Sequence, residues 1–229
     1  MSRTPDNRES RTALSWTGRL AALASLGDTG RRRLFEYVAG QPSAVGRDDA
    51  AAALEMPSST ASFHLDRLVR DGLLAVEFRK LGGKAGPGSG RPAKLYRPAL
   101  EEVGASVPDR SYDLAGELMA TAIESSMNAG GGVGEALAQA SYSRGRALGS
   151  DGTSLDEVLG SVGYMPERDG EGGIILMNCP FHRLADGHTE VVCAMNGAFL
   201  SGAAAACGVP EEKVEEDRTV GRCCARIRP

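Results

Sequence analysis

The chain of 229 residues contains five cysteines, Cys179, Cys193, Cys207, Cys223 and Cys224, and all of them fall in its last 51 residues. Thiolates are nucleophiles and ligands for soft metals. Cysteines clustered this way in a reducing compartment point to metal or redox chemistry more than to packing. An odd number also argues against a closed set of disulfides. The densest constellation is Asn178-Cys179-Pro180-Phe181-His182, then Leu184-Ala185, His188, Val192-Cys193 and Asn196, with Gly221-Arg222-Cys223-Cys224 near the end. Cys179-x-x-His182 has a metal-like spacing, but the second close pair of a zinc site is missing. The vicinal Cys223-Cys224 pair offers a third chemistry, metal-free oxidation of accessible thiolates.

The elements that carry these residues limit which can share a site. Leu184–Ala206 reads as one long helix ended by Gly208. Fourteen residues separate Cys193 from Cys207, roughly 21 Å on an unbroken helix. The two cannot bind one small cluster, and Cys207 reads as the structural residue. Cys193 lies about 14 Å from a helix start near Leu184, so it meets Cys179 only if the preceding turn folds back along the helix. Arg222–Ile227 reads as a strand. There Cys223 faces inward with Ala225 and Ile227, and Cys224 faces outward with Arg222 and Arg226. The expected metal ligands are Cys179, Cys193 and one of Cys223 and Cys224, Cys223 preferred, with His182 or His188 as a fourth.

The other constellation lies near the N-terminus. Residues 12–26, 30–39 and 47–54 read as helices, as does the segment after Pro57, followed by strands at 73–78 and 93–97. Ala61, Leu65, Leu68 and Val69 recur at helical spacing and form a core face. Ser58, Ser59, Thr60, Ser62, Phe63, His64 and Arg67 lie at the start of that helix or on its other faces. Exposed hydroxyls and N–H groups at a helix N-terminus suit phosphate contact. Side chains in the first two turns reach base edges in a major groove. Lys80, Lys84, Arg91 and Lys94, with Arg79 and Arg97, surround a glycine-rich hairpin tip, and such cations track a phosphate backbone.

Charge follows the same division. The 26 Lys+Arg and 30 Asp+Glu give a net −4. Residues 1–100 carry 16 and 10, a net +6; residues 101–229 carry 10 and 20, a net −10. The average conceals a basic half suited to nucleic acid. The acidic run 211–217 reads as a solvated surface, and Met119 and Met127 as core or dimer surface. No run of about 18 apolar residues spans a membrane, and the polar start is no secretory signal. No phosphate-binding loop, nucleophile elbow or dinucleotide fingerprint supports an enzyme.

Three helices and a two-stranded hairpin follow the winged helix-turn-helix plan. Ser59-Thr60-Ala61-Ser62-Phe63-His64-Leu65, with Leu68, Gly72, Leu73 and Leu74, resembles the recognition helix of bacterial ArsR-type repressors. Gly90-Arg91-Pro92-Ala93-Lys94-Leu95-Tyr96-Arg97, the Cys-Pro-Phe-His segment and the Arg-Cys-Cys segment resemble the SufR-like, iron–sulfur-sensing branch. The resemblance covers most of residues 25–228. It implies a repressor that senses a cysteine-ligated iron–sulfur cluster, of 4Fe–4S type.

The expected class is α+β, with a winged helix-turn-helix domain followed by an α+β sensor and dimerisation domain. The expected organisation is a disordered tail (1–12), a DNA-binding domain (13–98), a linker (99–110) and a cysteine-containing domain (111–229). The expected protein is a cytoplasmic homodimer on double-stranded operator DNA, controlled by a cluster or by redox state. The alternatives are a small molecule or structural zinc in the C-terminal domain.

Overall fold

A computed structural model describes residues 14–79, 92–149, 153–217, 219 and 221–229. It is a mixed helix-and-sheet, α+β structure. The chain divides between Ala105 and Ser106 into two compact units. The tail expected at 1–12 lies outside the described residues.

The N-terminal unit runs α1 (Trp16–Ser25), α2 (Thr29–Ala39), β1 (Val45–Gly46), α3 (Arg47–Ala53), α4 (Ser58–Arg70), β2 (Leu74–Arg79) and β3 (Ala93–Pro98). Side-chain caps set two of these starts: Ser15 accepts from the Gly18 amide, and Asp28 from the Arg31 amide at 2.9 Å. The i, i+4, i+7 set Ala61, Leu65 and Leu68 turns α4 inward. It packs with Leu34 and Val38 of α2, Ala50 and Ala51 of α3, and Leu73, Leu74 and Tyr96. Gly72 ends the helix at φ +79°, where a side chain would be strained. The strands pair antiparallel in the order β1-β3-β2, with Val76 opposite Tyr96.

The C-terminal unit runs α5 (Tyr112–Ala129), α6 (Val133–Leu148), α7 (Leu155–Val162), β4 (Pro166–Arg168), β5 (Ile174–Leu176), α8 (His182–Ala185), α9 (Thr189–Ala206), a 3₁₀ turn (Glu211–Lys213), β6 (Val214–Glu216) and β7 (Ala225–Ile227). Its antiparallel sheet has the order β4-β5-β7-β6. Helix α9 is the core element, burying Met195, Phe199, Leu200 and Ala203. It approaches α6 through two glycines. A Cβ on Gly202 would sit 2.1 Å from the Tyr142 carbonyl oxygen, and one on Gly145 2.1 Å from that of Phe199. Tyr164 and Phe199 stack with ring centroids 6.4 Å apart. Among the described residues, no helix is long and apolar enough to cross a membrane.

Two expectations are corrected here. The helix expected over Leu184–Ala206 is two helices, because Gly187 takes φ +80° and α9 begins only at Thr189. The strand expected over Arg222–Ile227 begins at Ala225, where pairing with β6 starts. Strand β4 was not anticipated; its Pro166-Glu167-Arg168 run carries no apolar alternation. The expected linker is also anchored at both ends. The Ala99 amide donates to the Leu73 carbonyl at 3.0 Å, and Val103 packs on the N-terminal core. Arg110 and Ser111 bond within the C-terminal unit.

Candidate functional site

The break at Gly187 shortens the distance that the sequence had set. Cys193 stands four residues into α9, about 6 Å from its start, beside the turn that carries Cys179. That turn is held from several sides. The Asn178 amide nitrogen donates to the carbonyls of Asp109 and Gly163 at 2.9 and 2.6 Å. The Arg110 guanidinium donates to the Asn178 side-chain oxygen and to the Cys179 carbonyl. The Ser111 amide donates to the Pro180 carbonyl at 3.2 Å. The stretch 109–111, which follows the boundary between the units, is thus bonded directly to the Cys179 turn.

Cys223 and Cys224 arrive from the other side. They precede β7, so the alternation of a strand does not govern them. The Cys223 amide donates to the Leu176 carbonyl of β5 at 2.8 Å, and the Cys224 carbonyl accepts from the Asp217 amide at 2.9 Å. Cys223 is fully buried, as expected. Cys224 is corrected: it is half-buried and turned to the other sulfurs rather than outward.

Four thiols interact in one row, Cys193 with Cys224, Cys224 with Cys223, and Cys223 with Cys179. The row ends on Cys179, which accepts from the Phe181 amide. The bond from Cys223 and that amide outweigh burial and hold the Cys179 thiol below its ordinary value. Burial and its bond to Cys224 push Cys193 up to about 12. The bond to Cys179, with burial, pushes Cys223 up to about 12. The bond to Cys223, with burial, raises Cys224 well above the usual thiol range. A metal group bound here would take the sulfurs as thiolates.

Asn196 closes the site. One turn after Cys193 on α9, it is 0% exposed and donates to the sulfurs of Cys223 and Cys224 at 3.3 and 3.5 Å. Its oxygen accepts from the buried Tyr164 hydroxyl at 2.5 Å. Among the described residues, no group of three His, Cys, Asp or Glu side chains is arranged to hold a single metal ion. His182 and His188, expected as a fourth donor, are exposed. Cys207 caps the far end of α9, its thiol raised by burial alone.

The second constellation is the outer face of α4. Ser58, Ser59, Phe63 and Arg67 are exposed on it, and Thr60 and Ser62 are half-buried. No side chain caps its N-terminus, which leaves the first-turn amides facing outward for an anion. Phe63 is 68% exposed. The His64 ring turns away from this face, packing at the start of α2 near Gly30 with Nδ1 4.0 Å from Asp28. Arg67 pairs with Asp71 at 3.0 Å. Lys94 Nζ lies 2.5 Å from Asp66 and over the Tyr96 ring. Lys80, Lys84 and Arg91 lie outside the described residues. Sequence reasoning passed over Phe78, which is 70% exposed on β2; its outward place in the strand was the available signal. It also passed over Tyr164 and Arg110, which carry no motif of their own.

Comparison with protein-family models, with curated proteins and with solved structures returns no match for this chain.

Proposed function

We propose that the chain is a DNA-binding transcriptional regulator, acting as a repressor, whose operator affinity is set by an iron–sulfur cluster on Cys179, Cys193, Cys223 and Cys224. The observation that carries this reading is the convergence of four cysteines from three separate segments into one row of sulfurs. The donor set fits the group: all-thiolate ligation suits iron–sulfur clusters. When bound, the cluster supplies electron transfer and sensitivity to oxidants. Cys179 and Cys193 anchor it from the turn and from α9, and Cys223 and Cys224 from the strand entry.

In this reading the N-terminal unit is a winged helix module with α4 as recognition helix and β2–β3 as wing. The exposed hydroxyls and amides at the start of α4 contact phosphates, and Phe63 and Arg67 reach into the major groove. Two copies read adjacent half-sites as a homodimer. The bonds from Arg110 to the Cys179 turn link the sensor to the first residues of the C-terminal unit. A ligand shifts DNA affinity only through a difference between two states, and the Cys179 turn is the element that cluster binding would alter.

The test uses the full chain purified without oxygen and DNA from its own promoter region. Bound iron with acid-labile sulfide, and an affinity that changes on cluster removal, are expected. Zinc, or no metal, or an affinity indifferent to the cluster, would overturn the sensing role. Failure to retain any DNA would overturn the regulator itself.

A further inference from the structure

Most buried polar side chains in a core answer one another, but Asn196 answers sulfur. Its amide is wholly buried, and both of its ends are engaged. The oxygen accepts from the Tyr164 hydroxyl, and the nitrogen faces Cys223 and Cys224. The tyrosine hydroxyl donates to the amide oxygen, and the NH₂ group lies toward the sulfurs, where its two N–H donors meet two acceptors. Tyr164 is itself immobilised between Phe181 and Phe199, with ring centroids 6.5 and 6.4 Å away. The donor is thus positioned from three elements: α9, the chain after α7, and the turn after Cys179.

An amide held against two ligand sulfurs has a chemical consequence. One-electron reduction adds a negative charge that spreads over a cluster and its thiolate ligands. An N–H donor to those sulfurs strengthens as the charge grows, so it favours the reduced form and raises the potential. The electron comes from an external low-potential reductant, no proton need move, and no covalent bond is broken.

We infer that Asn196, oriented by Tyr164, is a positioning residue that sets the reduction potential of the cluster by donating hydrogen bonds to Cys223 and Cys224. The inference rests on the iron–sulfur reading above. It differs from ligation, because Asn196 binds no metal and acts only through the sulfurs it touches.

The experiment compares wild type, Asn196→Leu and Tyr164→Phe, each as full chain prepared anaerobically, by iron and sulfide content and by potentiometric titration of the cluster absorption with dithionite. All three should carry the same cluster content. Asn196→Leu should shift the reduction equilibrium about tenfold toward the oxidised form, about 59 mV for one electron. Tyr164→Phe should move it the same way by less, because the amide keeps its place and loses only its fixed orientation. If Asn196→Leu fails to fold, Tyr164→Phe decides alone. Equal cluster content with unchanged potentials overturns the role of Asn196 and leaves the iron–sulfur reading standing. A wild type without iron and sulfide overturns both.

Discussion

The two units place their polar chemistry on opposite sides of their surfaces. The N-terminal unit has an apolar core of Leu34, Leu65, Leu68 and their neighbours, and its candidate groups stand outside on α4 and β2. The C-terminal unit buries its candidate groups: Cys223 and Asn196 are fully enclosed, Asn178 nearly so, and Tyr164 bonds to Asn196 in the same core. On the proposed function, a surface that meets a large polyanion must expose donors to it. A site that must keep sulfur from solvent, and change its environment when its occupant changes, belongs inside. The cost of the second plan is satisfaction, because each buried donor or acceptor needs a partner. The S–H row, Asn196 and Arg110 supply those partners.

This contrast can be broken by substitution. The largest effect is expected at the sulfur row. Cys223→Ser should abolish iron and sulfide binding, whereas Cys207→Ser at the far end of α9 should retain both; equal loss from the two would remove the row as the site. Next is packing in the C-terminal unit. Gly202→Ala puts a methyl group 2.1 Å from the Tyr142 carbonyl, and denaturant unfolding should show a loss of about 3 kcal/mol. Binding of DNA by the N-terminal unit at low denaturant should persist if the two cores are independent.

Coupling between the two chemistries comes third. Arg110→Ala should leave cluster content unchanged while reducing, by about tenfold, the difference in DNA affinity between cluster-loaded and cluster-free protein in a binding titration. A response of wild-type size would exclude the Arg110 contacts as the route. Phe63→Ala lies on the outer face, so its effect should be on affinity and not on folding. A loss of about 1–3 kcal/mol in DNA binding is expected, with an unfolding midpoint close to that of wild type.

The smallest effect is electrostatic. Burial raises the Asp217 carboxyl, but the hydroxyl and amide of Thr219 and the charge of Arg222 outweigh it and hold the carboxyl below its ordinary value. A carboxyl lowered in the folded state stabilises above its unfolded pKa, and that contribution fades as pH falls through the folded one. The melting temperature of wild type should therefore fall more steeply below about pH 4 than that of Asp217→Asn. Parallel profiles would remove Asp217 from the account.

Much of the N-terminal unit was legible because its signals are local. The cap at Asp28, the Ala61, Leu65, Leu68 spacing and Gly72 each act within a few residues, and the elements follow them closely. His64 is the exception. It sits in the same helix as Phe63, but the neighbouring start of α2 draws its ring away from the outer face. In the C-terminal unit the cysteines were legible as residues and not as a geometry. Gly187 was visible, yet a glycine inside a helical pattern is often tolerated, and only its φ of +80° divides the helix.

The sequence by itself determined the residue types and the short-range order: a basic half, an acidic half with every cysteine, a helix with an outward Phe63, and a Cys207 too far along its helix to join Cys193. Those follow from composition and from the rise of a helix. Tertiary structure alone decided that Cys179, Cys193, Cys223 and Cys224 form one row, that Asn196 and Tyr164 close it, and that Arg110 holds its Cys179 turn. Each of those contacts joins residues from separate segments of the chain. No spacing along the sequence encodes them; they follow from how α9, β5 and the entry to β7 pack together.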